Sequence, residues 1–489
     1  MSILIVVNNP KEWSLTIPGV QVIAAKTYLT DTSYSELRGA KVFNLSRSYR
    51  YQSVGYYVSL LAEARGHKPL PSINTIQDMK SQTITRFVSE ELDELLQKSL
   101  AKIEEKEFTL SIYFGRNIDT IFEKLSLHLF NLFPAPLLRA KFVLQRQWQL
   151  QSINPIATND IPLNHHDFFI EAARQHFERK RPITRKPRTA RYDMAILTNP
   201  GETSAPSDSV AIKRFVRGAE AVGFDVEMIT KQDYGRIAEF DALFIRETTH
   251  VNHHTFRFAR RAVAEGLVVI DDPESILKCT NKVYLAELLT RHRIPTPKTS
   301  IITKENLSAM AKEQTMPCIL KQPDSAFSAG VLKVQNIEEF HQQGQRMLEK
   351  SDLIITQEFL PTPYDWRVGI FNRQPLFVCK YYMAKEHWQV IHRDHTGITH
   401  EGTADVFNFD EVPPKVIQMA LKAANLIGNG LYGVDVKEIN GTVYVIEIND
   451  NPNIDGGSED GILKNNLYLI IMREMMRRVD QLKGVRAKD

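Results

Sequence analysis

The chain opens on a short apolar run, Ile3-Leu4-Ile5-Val6-Val7, stopped by Asn8-Asn9-Pro10. Such a run reads as a strand buried on both faces. Residues 41–45 read as a second strand, and 54–65 recur at helical spacing up to Gly66. Strands alternating with helices predict an α/β layer. Within 117–133, Ile121, Phe122, Leu125, Leu129 and Leu132 fall at helical spacing, and Leu138, Ala140, Phe142 and Leu144 then alternate as in a strand. A strand–helix rhythm resumes near residue 192, with strands at 194–197, 225–229, 242–245 and 267–270. Helices at 208–222 and 254–265 separate them. This pattern predicts a parallel, doubly wound sheet. Beyond residue 276 come a helix at 275–292, strands at 317–321, 353–356 and 376–382, a strand starting at 364, and a hairpin at 435–449 around Asn440-Gly441.

Between the two rhythms, residues 179–191 read RKRPITRKPRTAR, with no apolar period. Basic residues and prolines together predict an exposed linker, with contact to an acidic partner or nucleic acid as the sharper alternative. No internal repeat is evident, and this is the chain's one low-complexity tract. The expected parts are therefore an N-terminal α/β domain at 1–178, the linker at 179–191, a parallel-sheet domain at 192–275 and an α+β domain at 276–489. Overall this is an α/β and α+β multidomain protein.

Composition narrows the picture. A chain of 489 residues with 43% hydrophobic positions is large enough for two to four cores. The formal charge of +3 is near balance, so nucleic acid is not an expected partner of the whole molecule. Cys279, Cys318 and Cys379 form no CxxC pair, which fits a reducing compartment. The first apolar run is too short for a signal peptide, and nothing approaches the ~18 apolar residues of a membrane span. A cytoplasmic location without a membrane partner is expected, and a homo-oligomer is compatible with the sequence.

Candidate chemistry concentrates in the last two hundred residues. Glu447 and Asn449 lie two apart on one strand of the predicted hairpin, and Asp435 lies on the other. Residues two apart share a face, so two carboxylates and an amide oxygen converge as hard-oxygen ligands suited to Mg²⁺. An ordinary hairpin with a polar face is the plainer reading. The run Glu447-Ile448-Asn449-Asp450-Asn451-Pro452-Asn453 tips the balance, because such a cluster after an apolar strand is costly unless a cation meets it. Lys321 ends a buried-type strand and leads into the small-residue segment 324–331, which suits phosphate oxygens. Lys282 is a lone helical lysine. Glu358, Phe359 and Leu360 follow a strand, where backbone groups between apolar walls suit a purine edge. Asp365 and Arg367 begin another strand. Arg367 and Lys380 are expected on one sheet face, offering cations to a phosphoryl group or a carboxylate. His392-Arg393-Asp394 reads as a loop.

In this order the pieces resemble the ATP-grasp superfamily, most closely the RimK-like and glutathione-synthetase-like carboxylate–amine ligases. Residues 1–178 look like the RimK-like ATP-grasp N-terminal domain, 192–275 like a pre-ATP-grasp domain, and 276–489 like the ATP-grasp fold of two α+β subdomains. The resemblance implies that Lys282 and Lys321 hold nucleotide phosphates under a mobile loop containing Ser325, Ser328 and Gly330. It implies that Glu358, Phe359 and Leu360 frame adenine and that Asp365 reaches the ribose. Asp435, Glu447 and Asn449 would hold one or two Mg²⁺, with Mn²⁺ as a substitute. Arg367 and Lys380 would act on the transferred phosphoryl and acyl groups, and Arg393 would meet substrate. The loop holds only Gly330 where relatives are richer in glycine, and Asp450 stands where a small residue is common. The implied reaction joins the carboxylate of a small molecule, peptide or protein C-terminus to an amine such as glutamate, at the expense of ATP. A small-molecule kinase and a nucleotide-binding interaction protein are the alternatives.

Overall fold

A computed structural model describes residues 2–13, 17, 19–37, 39–178, 190–324, 330–384, 387–393 and 399–484. Most of the expected linker, 179–189, lies outside the described residues, as do Ser325 and Ser328. No described helix is long and apolar enough to cross a membrane. The chain divides into two compact units. One is Met1–Asp193 with Gly223–Asp225 and Gln232–Asp241, and the other is Met194–Val222, Val226–Lys231 and Ala242–Asp489. Residues 192–275 and 276–489 thus fall largely in the same unit.

The first unit holds β1 (Ile3–Val7), β2 (Val20–Ala24), β3 (Lys41–Asn44) and β4 (Lys68–Leu70), a parallel sheet in the order β2-β1-β3-β4. Leu4, Ile5, Val6 and Val7 are fully buried, as a strand apolar on both faces requires. A second sheet is antiparallel: β5 (Glu107–Tyr113), β6 (Leu137–Leu144) and β7 (Trp148–Pro155). Leu125, Leu129 and Phe130 of helix Glu123–Leu132 join the same core as Leu138, Ala140 and Phe142 of β6.

Largely within the second unit, β8 (Tyr192–Leu197), β9 (Phe224–Ile229), β10 (Ala242–Ile245) and β11 (Val268–Ile270) make a sheet ordered β11-β10-β8-β9. Strand β10 pairs parallel with both β8 and β11, as expected. Next come β12 (Thr299–Ile302), β13 (Cys318–Lys321), β14 (Val331–Val334) and β15 (Ile354–Glu358), an antiparallel sheet ordered β12-β15-β13-β14. The last large sheet contains β16 (Tyr364–Phe371) and β17 (Gln374–Tyr382). The short β18 (Ile391–Arg393) and β19 (Thr399–Glu401) pair separately, and β20 (Ala404–Val406), β21 (Leu431–Ile439) and β22 (Thr442–Asn449) complete the set. The large sheet runs β20-β17-β16-β21-β22, antiparallel throughout. Helix Pro414–Ile427 covers it through Val416, Ala420, Ala423, Ala424 and Ile427.

Three expectations need correction. The helix expected at 275–292 is two helices, Pro273–Thr280 and Lys282–Arg291. Asn281 adopts an extended conformation between them, and its side chain accepts from the Tyr284 N–H at 2.9 Å, so it caps the second helix. Arg393 lies on β18 rather than in a loop. An internal repeat also exists. The sheets β2-β1-β3-β4 and β9-β8-β10-β11 share one strand order. In each, an 11-residue helix joins the third strand to the fourth, Val54–Ala64 in one and His254–Ala264 in the other. Both helices end on a glycine at φ +69°, Gly66 and Gly266. The next N–H, of His67 or Leu267, bonds back to the carbonyl of Ala62 or Ala262 at 2.8 Å.

Candidate active site

A cleft of about 280 Å³ lies in the second unit. Its walls take Lys321 from β13, Gln357 and Glu358 from β15, Asp365 and Arg367 from β16, Tyr381 from β17, Asp435 and Lys437 from β21, and Glu447 and Asn449 from β22.

The central feature is a row across three strands. Arg367 on β16 lies opposite Asp435 on β21, which lies opposite Glu447 on β22. Residues opposite one another share a face. The Asn440-Gly441 turn, at φ 51° and 76°, starts the hairpin in straight register, Ile439 with Thr442 and Val436 with Val445. Continued, that register would set Ile446 opposite Asp435 and turn Glu447 to the other face. A bulge between Asp435 and Val436 adds one residue to β22 and brings Glu447 opposite Asp435 instead. Asn449 then lies opposite Gly433, and its Nδ2 is 3.4 Å from Asp435 Oδ2.

Each carboxylate faces a cation. Arg367 meets Asp435 through Nε to Oδ1 and through Nη2 to Oδ2 at 2.8 Å. Lys282 Nζ is 3.1 Å from Glu447 Oε1. Burial favours the protonated Glu447 carboxyl, but Lys282 and Lys321 outweigh it and hold the group below the ordinary carboxylate range. Lys321 donates to Gln357 Oε1 at 2.6 Å, and burial pulls its ammonium down to about 8. Lys282 is the first residue of its helix, placed there by the Asn281 cap, and is itself buried.

The remaining predicted residues divide. Gly330 sits at φ +71°, a left-handed conformation that favours glycine. Glu358, Phe359 and Leu360 line the cleft, with the Lys333 ammonium 3.9 Å from the Phe359 ring centre. Asp365 lines it too, but its Oδ1 accepts from Lys437 Nζ at 2.6 Å. Lys380 does not share a face with Arg367. The register pairs Trp366 with Lys380 and Arg367 with Cys379, so alternation sends Lys380 to the opposite face. Its ammonium lies 4.3 Å from the Tyr364 ring centre, 4.7 Å from that of Trp366 and 4.9 Å from that of Phe407.

Sequence reasoning missed Lys437, although it lies two residues from Asp435. It also missed Tyr381, whose ring centre lies 5.0 Å from the Arg367 guanidinium. Thr248, Thr249 and His250 line the cleft from the segment after β10, and no local motif announces them. The cation demanded by the Asp450–Asn453 cluster is partly supplied by the protein. Arg246, fully buried, donates to Asn451 Oδ1 at 2.6 Å and to the Pro452 carbonyl at 2.9 Å. Asp450 accepts from Thr249 Oγ1 at 2.7 Å, and burial pushes its carboxyl up to about 7.

Two antiparallel sheets contributing lysines, an arginine and hard-oxygen donors to one cleft define the ATP-grasp class of enzyme. The chain belongs to the RimK-like ATP-grasp family: residues 25–172 match the RimK-like ATPgrasp N-terminal domain and 279–470 the RimK-like ATP-grasp domain. Among curated relatives, it is 24% identical over 261 residues to the alpha-aminoadipate–LysW ligase LysX of Saccharolobus solfataricus. That match spans 49% of this chain and 88% of the relative. It is 24% identical over 213 residues to the coenzyme gamma-F420-2:alpha-L-glutamate ligase of Methanocaldococcus jannaschii, across 43% and 71% of the two chains. A solved D-alanine–D-alanine ligase from Bacillus anthracis aligns over 60% of this chain and 98% of its own, at TM-score 0.47 and 13% identity.

Proposed function

We propose that this protein is an ATP-dependent ligase that activates a carboxylate as an acyl phosphate and joins it to the amino group of an amino acid. The Arg367–Asp435–Glu447 row carries this reading. It sets two carboxylates side by side with a cation on each, Arg367 on Asp435 and Lys282 on Glu447, which suits the meeting of two anionic reactants. Lys282 and Lys321 are the phosphate-holding candidates, and Glu358, Phe359 and Leu360 the adenine-framing ones. Asp435, Glu447 and Asn449 are the Mg²⁺ ligand candidates, because two carboxylates and an amide on the cleft wall are the donor types that ion takes. A bound Mg²⁺ would offset phosphate charge. Arg367 is left as the cation for the transferred phosphoryl group, a role that Lys380 on the opposite face does not share.

The acceptor amine class is inferred from relatives named as glutamate ligases and an α-aminoadipate ligase. The test supplies ATP, Mg²⁺, candidate carboxylates and hydroxylamine, which traps acyl phosphates. A hydroxamate formed together with ADP is expected. Stable phosphorylation of a hydroxyl, with no hydroxamate from any carboxylate that stimulates ADP release, would replace this reading with a kinase.

A further inference from the structure

The segment leaving β10 reads Arg246-Glu247-Thr248-Thr249-His250-Val251-Asn252-His253 and runs into helix His254–Ala264. Thr248, Thr249 and His250 face the cleft, but Glu247, His253 and His254 are absent from its lining. These three converge on one another instead, with one ligand atom from each lying within 4.8 Å of the others.

The cluster is built but unsatisfied. Glu247 is 2% exposed, and its Oε2 has no hydrogen-bond partner among the described residues. His254 Nε2 lies 2.8 Å from Glu247 Oε1, which leaves Oε2 as the atom without a partner. A buried carboxylate oxygen left in this way is costly unless something meets it. Glu202 lies close by, its carboxylate receiving the Thr248 N–H at 3.2 Å.

The internal repeat shows that the fold does not need this donor set. In the other sheet the corresponding positions are Ser46, two residues past β3, and Ser53 and Val54 at the start of the matching helix. There Ser53 caps the helix by accepting from the Tyr56 N–H, whereas His253 makes no side-chain cap bond.

We propose that Glu247, His253 and His254 form a binding site for a divalent transition-metal ion of the zinc type, separate from the oxygen-donor group at Asp435, Glu447 and Asn449. Two imidazoles and one carboxylate suit such an ion and not Mg²⁺. Metal–ligand bonds of about 2.0–2.2 Å put tetrahedral neighbours roughly 3.5 Å apart, so a side-chain shift of about 1 Å brings the three donors to bonding distance, with the fourth position left to solvent. An ion there would tie the segment after β10 to the start of helix His254–Ala264. It would thereby fix Thr248, Thr249 and His250 in the cleft wall.

The test uses the full chain without a histidine tag, stripped by chelator and dialysed against micromolar Zn²⁺ with excess Mg²⁺ and ATP present. One zinc per chain is expected, with the visible spectrum of nitrogen–oxygen ligation when Co²⁺ replaces it. His254→Gln and Glu247→Gln should each weaken zinc binding at least tenfold, and Glu447→Gln should not. His253→Gln serves as an independent variant should either of the first two fail to fold. Zinc binding unchanged in the folded variants, or no stoichiometric zinc in the parent, would overturn the proposal.

Discussion

Arg367 and Asp435 sit directly opposite each other on β16 and β21, joined through two guanidinium nitrogens, with both side chains largely buried. Burial opposes the charge on Arg367, but the Asp435 carboxylate outweighs it and holds the guanidinium protonated. Burial also raises the proton affinity of Asp435, and Arg367 opposes that shift. The two-nitrogen contact keeps the pair ionised. Arg367→Met should therefore abolish turnover and also cost about 3–5 kcal/mol of stability, because it leaves a buried carboxylate unpaired. Chemical denaturation checks this, and an unchanged midpoint would show that the pair adds nothing to the fold. Arg367→Lys keeps the charge but not the planar fork, and should restore part of the stability but little activity.

Lys321 carries a pH signature. Burial lowers its pKa to about 8, below the ordinary 10.5. Between those values the unfolded chain binds more protons than the native one, so this residue's contribution to stability rises with pH from about 8 to 10.5. Lys321→Met should remove that rise from a series of unfolding curves. Phosphates favour the charged ammonium, so ATP binding near pH 8.5 should take up a proton. Calorimetry in buffers of different ionisation enthalpy would detect the uptake, and Lys321→Met should not show it.

Much of this site was legible in the sequence because its residues end strands or lie two apart on them. Lys321, Glu447 and Asn449 follow from such counting. Asp435 opposite Glu447 does not, since a straight Asn-Gly hairpin puts Glu447 on the other face and only the bulge corrects it. Lys380 failed for the same reason. A one-residue difference in register across the β16–β17 hairpin decides its face, and no sequence pattern sets that register. The internal repeat escaped notice because backbone-constrained positions such as Gly66 and Gly266 persist while the loop chemistry differs. Thr249 meets Asp450 across a sequence separation of 201 residues, through packing that no local motif encodes.

The displaced Lys380 yields its own expectation. Its ammonium lies against three aromatic rings on the face away from the cleft, so its contribution is to packing. Cation–π contacts of this kind are worth about 0.5–2 kcal/mol. Lys380→Met should lower stability by about that amount and leave kcat within roughly threefold of the parent, since the residue does not reach the site. Lys437→Met should behave oppositely. That lysine bonds Asp365 and Thr362 beside the cleft, so turnover or ATP affinity should fall well before stability does. A large loss of kcat in Lys380→Met without loss of stability would contradict the register described here.

Asp450 provides the last expectation. It lines the cleft, is 5% exposed, and has its carboxyl pushed up to about 7, first by burial and against the hydrogen bond from Thr249. Asp271 beside it is raised as well, by burial and then by Asp450 itself, so the two carboxyls resist ionising together. The folded pKa of Asp450 exceeds the unfolded value of 3.8. The native state therefore binds more protons between about pH 4 and 7, and stability falls as pH rises through that window. Asp450→Asn keeps an oxygen to accept from Thr249 but cannot ionise. Its stability should vary less between pH 5 and 8 than that of the parent, and its advantage should be largest at pH 8. An attacking amine must lose protons, and a carboxylate ionising near 7 at the cleft wall is placed to take one. The parent's rate should therefore rise through pH 7, and in Asp450→Asn that limb should vanish along with most of the rate. If the variant keeps the same acid limb, another group sets it and Asp450 acts only on stability.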